Sequence, residues 1–264
     1  VKCGSTDVTV SNNGFTMPAG NVTITPAFEK IAYTVTVASV TGGSVKVDKT
    51  TANYGDTITL TATASTGYKL NSYSVKCGST NVSVSNSKFT MPNGNVTVTA
   101  VFEKIAYTIT IASATGGSVT ASKTTANYGD KITLTVSPNT GYKLKSITAT
   151  GATISSNAFT MPAQNVTVTP VFEKIAYTIT IASATGGSVT ASKTSANYGD
   201  KITLTVSPGT GYKLKSLTAT GATISSNAFT MPAQNVTVTP VFEKIAYTIT
   251  LSVGSNGKMT ASKT

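Results

Sequence analysis

Residues 105–136 read IAYTITIASATGGSVTASKTTANYGDKITLTV, and the alternation within this stretch decides the fold. Apolar and threonine side chains alternate over residues 107–111 and again over residues 132–136, on either side of a turn at residues 127–130. A period of two is typical of a strand with one face buried. The stretch therefore predicts two half-buried strands, with the inward rows Tyr107, Ile109 and Ile111, and Ile132, Leu134 and Val136.

The same alternation, followed to residue 174, predicts about six short strands and no helix. Gly116-Gly117 predicts a turn between the first two strands. Ile147 is out of phase with the inward residues before it, which predicts a bulge or bend near Lys145-Ser146. Pro170 has no N–H to donate, so the last strand should lie at a sheet edge or carry a bulge there. The predicted class is all-β, with each six-strand unit sandwich-like.

The chain is a tandem array, because IleAlaTyrThr recurs at Ile31, Ile105, Ile175 and Ile245. The complete repeats are 31–104, 105–174 and 175–244. Residues 1–30 match the C-terminal part of a repeat, and residues 245–264 match the N-terminal part. The second and third complete repeats differ at three positions only: Thr125/Ser195, Asn139/Gly209 and Ile147/Leu217.

Composition excludes several classes of function. Of 264 residues, 52 are threonine, and the 20 basic residues are all lysine, against nine acids. The chain has no histidine, which is the commonest general base and metal ligand. It also has no arginine, the residue that usually binds phosphate or guanine through two hydrogen bonds. No apolar run is long enough for a transmembrane segment. Since the chain does not begin with Met, we expect it to be a piece of a longer protein.

The junction between repeats reads ValPheGluLysIleAlaTyrThr and contains no Gly, Pro or Ser run. It therefore lacks the composition of a flexible linker. We expect the last strand of one repeat to run almost directly into the first strand of the next. The compact units would then form an elongated, stiff rod.

These motifs resemble the divergent internalin B-repeat family, also called the Listeria–Bacteroides repeat. The resemblance rests on TyrThrIleThr, GlyGly, AsnTyrGlyAsp, GlyTyrLysLeu, PheThrMetPro and AsnValThrValThr-x-ValPhe, in that order, and covers the whole chain. It implies small β domains, related to a β-grasp-like fold, in tandem in large bacterial cell-surface or secreted proteins. It implies no catalytic residues.

Two acids recur in each complete repeat and are candidate calcium ligands: Asp56, Asp130 and Asp200, and Glu103, Glu173 and Glu243. Calcium takes six to eight oxygen ligands, usually several from carboxylates. Two acids per repeat are too few without converging carbonyl groups. We expect the aspartate to serve a tight turn and the glutamate to pair with a lysine at the repeat junction, and we predict no metal site and no cofactor.

Asparagine and cysteine offer two further chemistries. A Lys–Asn isopeptide crosslink could use Asn165 with Glu173 as the nearby acid, although Asn165 also fits an ordinary strand start. Cys3 and Cys77 occupy equivalent positions of successive repeats, which places them too far apart for a disulfide. We expect each cysteine to be a small apolar residue in a hairpin; the alternative is an exposed thiol that bridges two chains. The sequons at Asn21, Asn81, Asn95, Asn165 and Asn235 are explained by strand alternation.

Tyrosines and lysines are the candidate ligand-binding residues. Tyr107 and Tyr142 fall on apolar strand faces, where they should pack, whereas Tyr128 lies in a turn and is the candidate for stacking on a sugar. Lysine is scattered singly, which favours solubility and protection of sheet edges over binding to an anionic polymer. We predict no nucleic-acid partner.

The sequence thus predicts a non-enzymatic, extracellular structural stalk or spacer of an adhesin-like protein. One alternative is the repeat unit of a self-assembling filament or sheath, whose partners are neighbouring repeats of the same or another copy. The other is a module that binds a glycan or a host protein. Its expected location is the hairpin that differs most between repeats, Val75–Lys88 against Ile147–Ala158.

Overall fold

A computed structural model describes residues 1–262 of the chain. Those residues form 25 β-strands and no helix, so none forms a helix long and apolar enough to cross a membrane. The chain divides into two compact units, Val1–Ile105 and Ala106–Thr264. The all-β class predicted from the alternation is confirmed.

The first unit contains the partial repeat 1–30 and one complete repeat. The partial repeat forms a small sheet in the order β2-β1-β3, from β1 (Lys2–Cys3), β2 (Thr6–Asp7) and β3 (Val22–Thr23). The complete repeat has eight strands in two sheets, in the orders β6-β4-β11-β8-β9 and β10-β7-β5. These strands are β4 (Ala32–Val37), β5 (Gly43–Val47), β6 (Thr51–Asn53), β7 (Thr57–Ala64), β8 (Tyr68–Cys77), β9 (Thr80–Val82), β10 (Lys88–Thr90) and β11 (Val96–Lys104).

The second unit contains the other two complete repeats, each with seven strands. The first of them has sheets in the orders β14-β12-β18-β16 and β13-β15-β17, from β12 (Ala106–Ile111), β13 (Gly117–Ala121), β14 (Thr125–Asn127), β15 (Lys131–Pro138), β16 (Tyr142–Ala149), β17 (Ala158–Thr160) and β18 (Val166–Lys174). The next has the matching orders β21-β19-β25-β23 and β20-β22-β24, from β19 (Ala176–Ile181), β20 (Gly187–Ala191), β21 (Ser195–Asn197), β22 (Lys201–Pro208), β23 (Tyr212–Ala219), β24 (Ala228–Thr230) and β25 (Val236–Lys244).

The first and last strands of each complete repeat pair in parallel, at the middle of the larger sheet. In the second complete repeat, Ile109 lies opposite Val166 and Ile111 lies opposite Val168. The other strand pairs of that repeat are antiparallel. A parallel pair needs a long crossover, and here the crossover is the rest of the repeat.

The core of each repeat lies between its two sheets. The strands alternate buried and exposed residues, as β18 shows over residues 166–170. In the second complete repeat, Ile132 and Met161 are fully buried and pack with residues of both sheets. The buried cluster of this repeat is Ile109, Val119, Ala126, Ile132, Leu134, Phe159, Met161, Val166 and Val168.

Two expectations about the strands need correction. The repeat has seven or eight strands rather than six, because the three residues Thr125–Asn127 form β14 against β12. Three residues are too few for alternation to be recognised. The last strand is central in its sheet rather than at an edge. The predicted alternative, a bulge, is found beside Pro170, since the pairing with β16 shifts register opposite Val171 and Phe172. Pro170 is accommodated because β12 pairs with β18 only as far as Val168.

Two other expectations are confirmed. The register between β16 and β18 shifts between Leu144 and Ser146, where the bulge was predicted. The Gly116-Gly117 turn brings the backbone directly beneath two aromatic rings. A Cβ atom added to Gly117 would lie 2.5 Å from the Phe172 ring, and one added to Gly116 would lie 2.4 Å from the Tyr142 ring. These glycines are needed for close approach, and the φ of +90° at Gly116 adds a conformational requirement.

We predict that Ile132→Ala lowers the free energy of unfolding of its repeat by about 2–5 kcal/mol, because the substitution leaves a cavity between the sheets. Urea unfolding followed by circular dichroism should show this repeat melting first. Val171→Ala, at an exposed position of the same repeat, is the control and should change stability by less than about 0.5 kcal/mol. Equal effects of the two substitutions would contradict the assignment of the core.

Candidate functional site

The aspartate of each AsnTyrGlyAsp turn closes that turn. In the third complete repeat, the Asn197 backbone N–H donates to Asp200 Oδ2 at 3.3 Å, and Lys193 Nζ lies 3.1 Å from the same oxygen. The equivalent bonds in the other complete repeats run from Asn53 N–H to Asp56 and from Asn127 N–H to Asp130. The aspartate therefore has the turn role predicted for it.

The ionised form of Asp200 is favoured by its surroundings. The hydrogen bond from Lys193 lowers the pKa of Asp200, the Asn197 N–H lowers it further, and the positive charges of Lys193 and Lys174 add to the effect. Asp48 is a second such carboxylate, since the Thr59 backbone N–H, 2.8 Å away, lowers its pKa. A general acid at neutral pH needs a raised pKa, so neither group is tuned for that chemistry.

Each recurring glutamate pairs with lysine on the neighbouring strand. Glu173 Oε1 lies 3.2 Å from Lys143 Nζ, and its Oε2 lies 3.6 Å from Lys145 Nζ. The register places Lys143 directly opposite Glu173. Glu243 with Lys213 and Lys215, and Glu103 with Lys69, repeat the arrangement. The pair therefore joins two strands of one repeat, next to the junction where a Glu–Lys pair was expected.

These acids do not converge on a common point. Within residues 1–262, no three Cys, Asp or Glu side chains lie close enough together to hold a metal ion. The aspartate is bonded to its own turn and the glutamate to a strand lysine. The arrangement thus lacks the several carboxylates from which a calcium site is usually built.

The asparagine before the last strand caps the parallel strand pair. Thr108 N–H donates to Asn165 Oδ1 at 2.9 Å. The same bond joins Thr34 to Asn95 and Thr178 to Asn235. Asn165, the candidate for an isopeptide crosslink and part of a sequon, thus accepts a structural hydrogen bond, and its equivalents Asn95 and Asn235 do the same. The sequence did not reveal this bond, since it links residues 57 positions apart.

The cysteines are free thiols, as their spacing predicted. Each sulfur lies against a glycine: a Cβ atom added to Gly94 would lie 2.8 Å from Cys77 Sγ, and one added to Gly20 would lie 3.0 Å from Cys3 Sγ. Both cysteines are half-buried. They act as small packing residues, in agreement with the simpler of the two expectations.

The variable hairpin is longer in the first complete repeat. There β8 continues to Cys77 and pairs with β9, so that Val75 lies opposite Val82. In the second complete repeat, β16 ends at Ala149 and an isolated bridge joins Ala149 to Ala152. The longer hairpin adds an outer strand to the sheet.

The tyrosines separate into packed and exposed groups. Tyr107 packs against the core, and Tyr142 covers Gly116, as predicted. The turn tyrosines are exposed, Tyr128 and Tyr198 at 50% and Tyr54 at 71%. In the first complete repeat this exposed ring borders an open groove of about 500 Å³, lined by Lys30, Ile31, Tyr33, Asn53, Tyr54 and Asn93. The Tyr33 hydroxyl donates to Asn93 Oδ1 inside this groove.

We predict that Lys193→Gln raises the pKa of Asp200, because the substitution removes the largest cause of its lowering. Carboxyl carbon chemical shifts followed by NMR as a function of pH measure that pKa. A lowered pKa stabilises the fold above the ordinary value of about 3.9, and the stabilisation is lost as the pH falls through the folded value. As the pH falls, the free energy of unfolding should therefore decrease more for the wild type than for the Lys193→Gln variant.

The pKa of Asp48 is the internal control for this substitution. It is set by Thr59 within another repeat and should not change in Lys193→Gln. An unchanged pKa of Asp200 in the variant would contradict the assigned ion pair.

Comparison with known families agrees with the repeated fold. A family model described as the divergent InlB B-repeat domain matches residues 1–32, 33–106, 107–176 and 177–246. Each of the last three matches begins two residues after the start of an IleAlaTyrThr motif. No curated protein matches the chain. Because the four matches together cover almost the whole sequence, the chain belongs to the divergent InlB B-repeat family, whose members are typically repeats of bacterial surface proteins.

Proposed function

We propose that these repeats form a structural stalk or spacer in an extracellular, adhesin-like protein of the bacterial surface. The observation that carries the proposal is the junction within the second unit. One residue, Ile175, separates β18 from β19, and its N–H donates to the Gly141 carbonyl of the preceding repeat at 2.8 Å. A bonded connection of one residue leaves little freedom for bending, unlike a Gly/Ser linker.

The near-identity of the repeats supports a structural rather than a catalytic role. An active site needs its own set of groups, and here the recurring acids are engaged in turns and in ion pairs with lysine. Exposed ion pairs of this kind contribute little stability individually, but they suit a soluble, repeated surface. We therefore also propose that the array is not an enzyme and needs no cofactor.

A filament or sheath is the second proposal, with neighbouring copies as partners. It is supported by sheet edges that recur in the complete repeats, since β16 and β23 each lie at one edge of their larger sheet. An edge strand can pair with a strand of another chain. A contact of this kind that does not close would propagate along a chain of copies.

We predict that arrays with extra copies of residues 105–174 lengthen in proportion to copy number, by about 25–30 Å for each compact unit. Negative-stain electron microscopy across a range of concentrations measures this length. Separate particles of constant length at every concentration support the stalk. Filaments or sheets that grow with concentration would instead support the assembly proposal.

A matched control tests the junction itself. Insertion of a ten-residue Gly/Ser linker between Lys174 and Ile175 should broaden the distribution of end-to-end distances without changing the secondary structure. An unchanged distribution would show that the direct connection does not limit bending, which would contradict the stalk proposal.

A further inference from the structure

The second and third complete repeats touch beyond their covalent junction. Gly141, in the GlyTyr turn before β16, is buried and has a φ of +80°. A Cβ atom added to it would lie 2.6 Å from Tyr198 Cβ, 3.1 Å from Tyr198 Cγ and 3.2 Å from Tyr198 Cδ1. The side of Gly141 where a Cβ atom would lie is therefore covered by Tyr198, the turn tyrosine of the next repeat.

Two polar interactions surround this contact. The Gly141 carbonyl accepts the Ile175 N–H, so the same glycine also holds the first residue of the next repeat. Lys174, the last residue of β18, contributes its positive charge to the surroundings of Asp200, two residues beyond Tyr198. The end of one repeat thus contacts Tyr198 and Ile175 of the next repeat, and the charge of Lys174 acts on Asp200 of the same turn as Tyr198.

Equivalent residues of other repeats allow a comparison. Gly211 lies in the corresponding turn with a φ of +79°, and a Cβ atom added there would have no heavy atom within 4 Å. In the first complete repeat, Tyr54 is 71% exposed, against 50% for Tyr198, and borders the open groove of about 500 Å³.

We propose that Tyr198, in the AsnTyrGlyAsp turn of the third complete repeat, is a docking residue whose partner is Gly141, in the GlyTyr turn of the preceding repeat. In tandem-repeat proteins, stability is close to a sum of repeat terms and nearest-neighbour interface terms, so this contact couples the stability of adjacent repeats. The proposal depends only on the contact and stands whether the array is a stalk or a filament.

The test compares Gly141→Ala with Gly211→Ala in the full chain. Both substitutions place a side chain at nearly the same positive φ, so both carry the same local strain. Only alanine at position 141 also meets Tyr198. Hydrogen–deuterium exchange with mass spectrometry measures the consequence for each turn. The three sequence differences keep the peptides distinguishable, since the turns carry Asn139 or Gly209 and the next segments carry Thr125 or Ser195.

We expect Gly141→Ala to increase exchange at least tenfold in the peptide that spans Ser195–Asp200, in the neighbouring repeat. Gly211→Ala should leave that peptide unchanged and affect only its own turn. The proposal is overturned if the two variants affect the Ser195–Asp200 peptide equally, or if neither affects it.

A reciprocal pair of variants tests the contact from the tyrosine. Tyr198→Ala should increase exchange at the Asn139–Tyr142 turn of the preceding repeat, while Tyr54→Ala, which removes an undocked ring, should leave every GlyTyr turn unchanged. Circular dichroism confirms that both variants fold. A local effect of Tyr198→Ala confined to its own turn would show that the two repeats are not coupled there.

Discussion

The parallel pairing of the first and last strands is the interaction on which each repeat depends. It places residues 109–111 beside residues 166–168 in one sheet, and it brings the Asn165 amide to the Thr108 N–H. Because these partners are nearly sixty residues apart, the larger sheet is complete only when the whole repeat has been made. Contacts of such separation carry a high loop-closure entropy, which the buried core between the two sheets offsets.

The last strand of the repeat, β18 in the second complete repeat, also determines how one repeat continues into the next. Its residues 166–168 pair with β12, and from Val168 to Lys174 it pairs with β16. The Glu173 ion pairs lie within this second stretch. The strand therefore leaves the sheet beside the GlyTyr turn, where Ile175 and Tyr198 meet Gly141. A covalent junction and a noncovalent contact consequently occur at the same end of the repeat.

Sequence reasoning was most accurate where the information is local. Alternation located β15 and β18, and the phase change at Ile147 located the bulge. The sequence did not predict β14, which is too short to show a period. Pro170 indicated an edge or a bulge: the strand is central, and the bulge lies beside Pro170. A central strand tolerates this proline because its neighbour β12 pairs only as far as Val168. The turn role predicted for the aspartates was correct, whereas the hydrogen bond that Asn165 accepts from Thr108 was missed because it joins distant residues.

The sequence by itself determined the longer strands, the inward face of each of them, the turns and the repeated units. Each of these follows from side-chain period and from the backbone preferences of glycine, proline and asparagine. Only the tertiary structure decided the order of strands in the sheets, the lysine that each glutamate meets, and the difference between Tyr198 on a glycine and Tyr54 beside an open groove. The physical reason is that a local period fixes which way a side chain points, while its partner depends on which distant strand or repeat lies opposite.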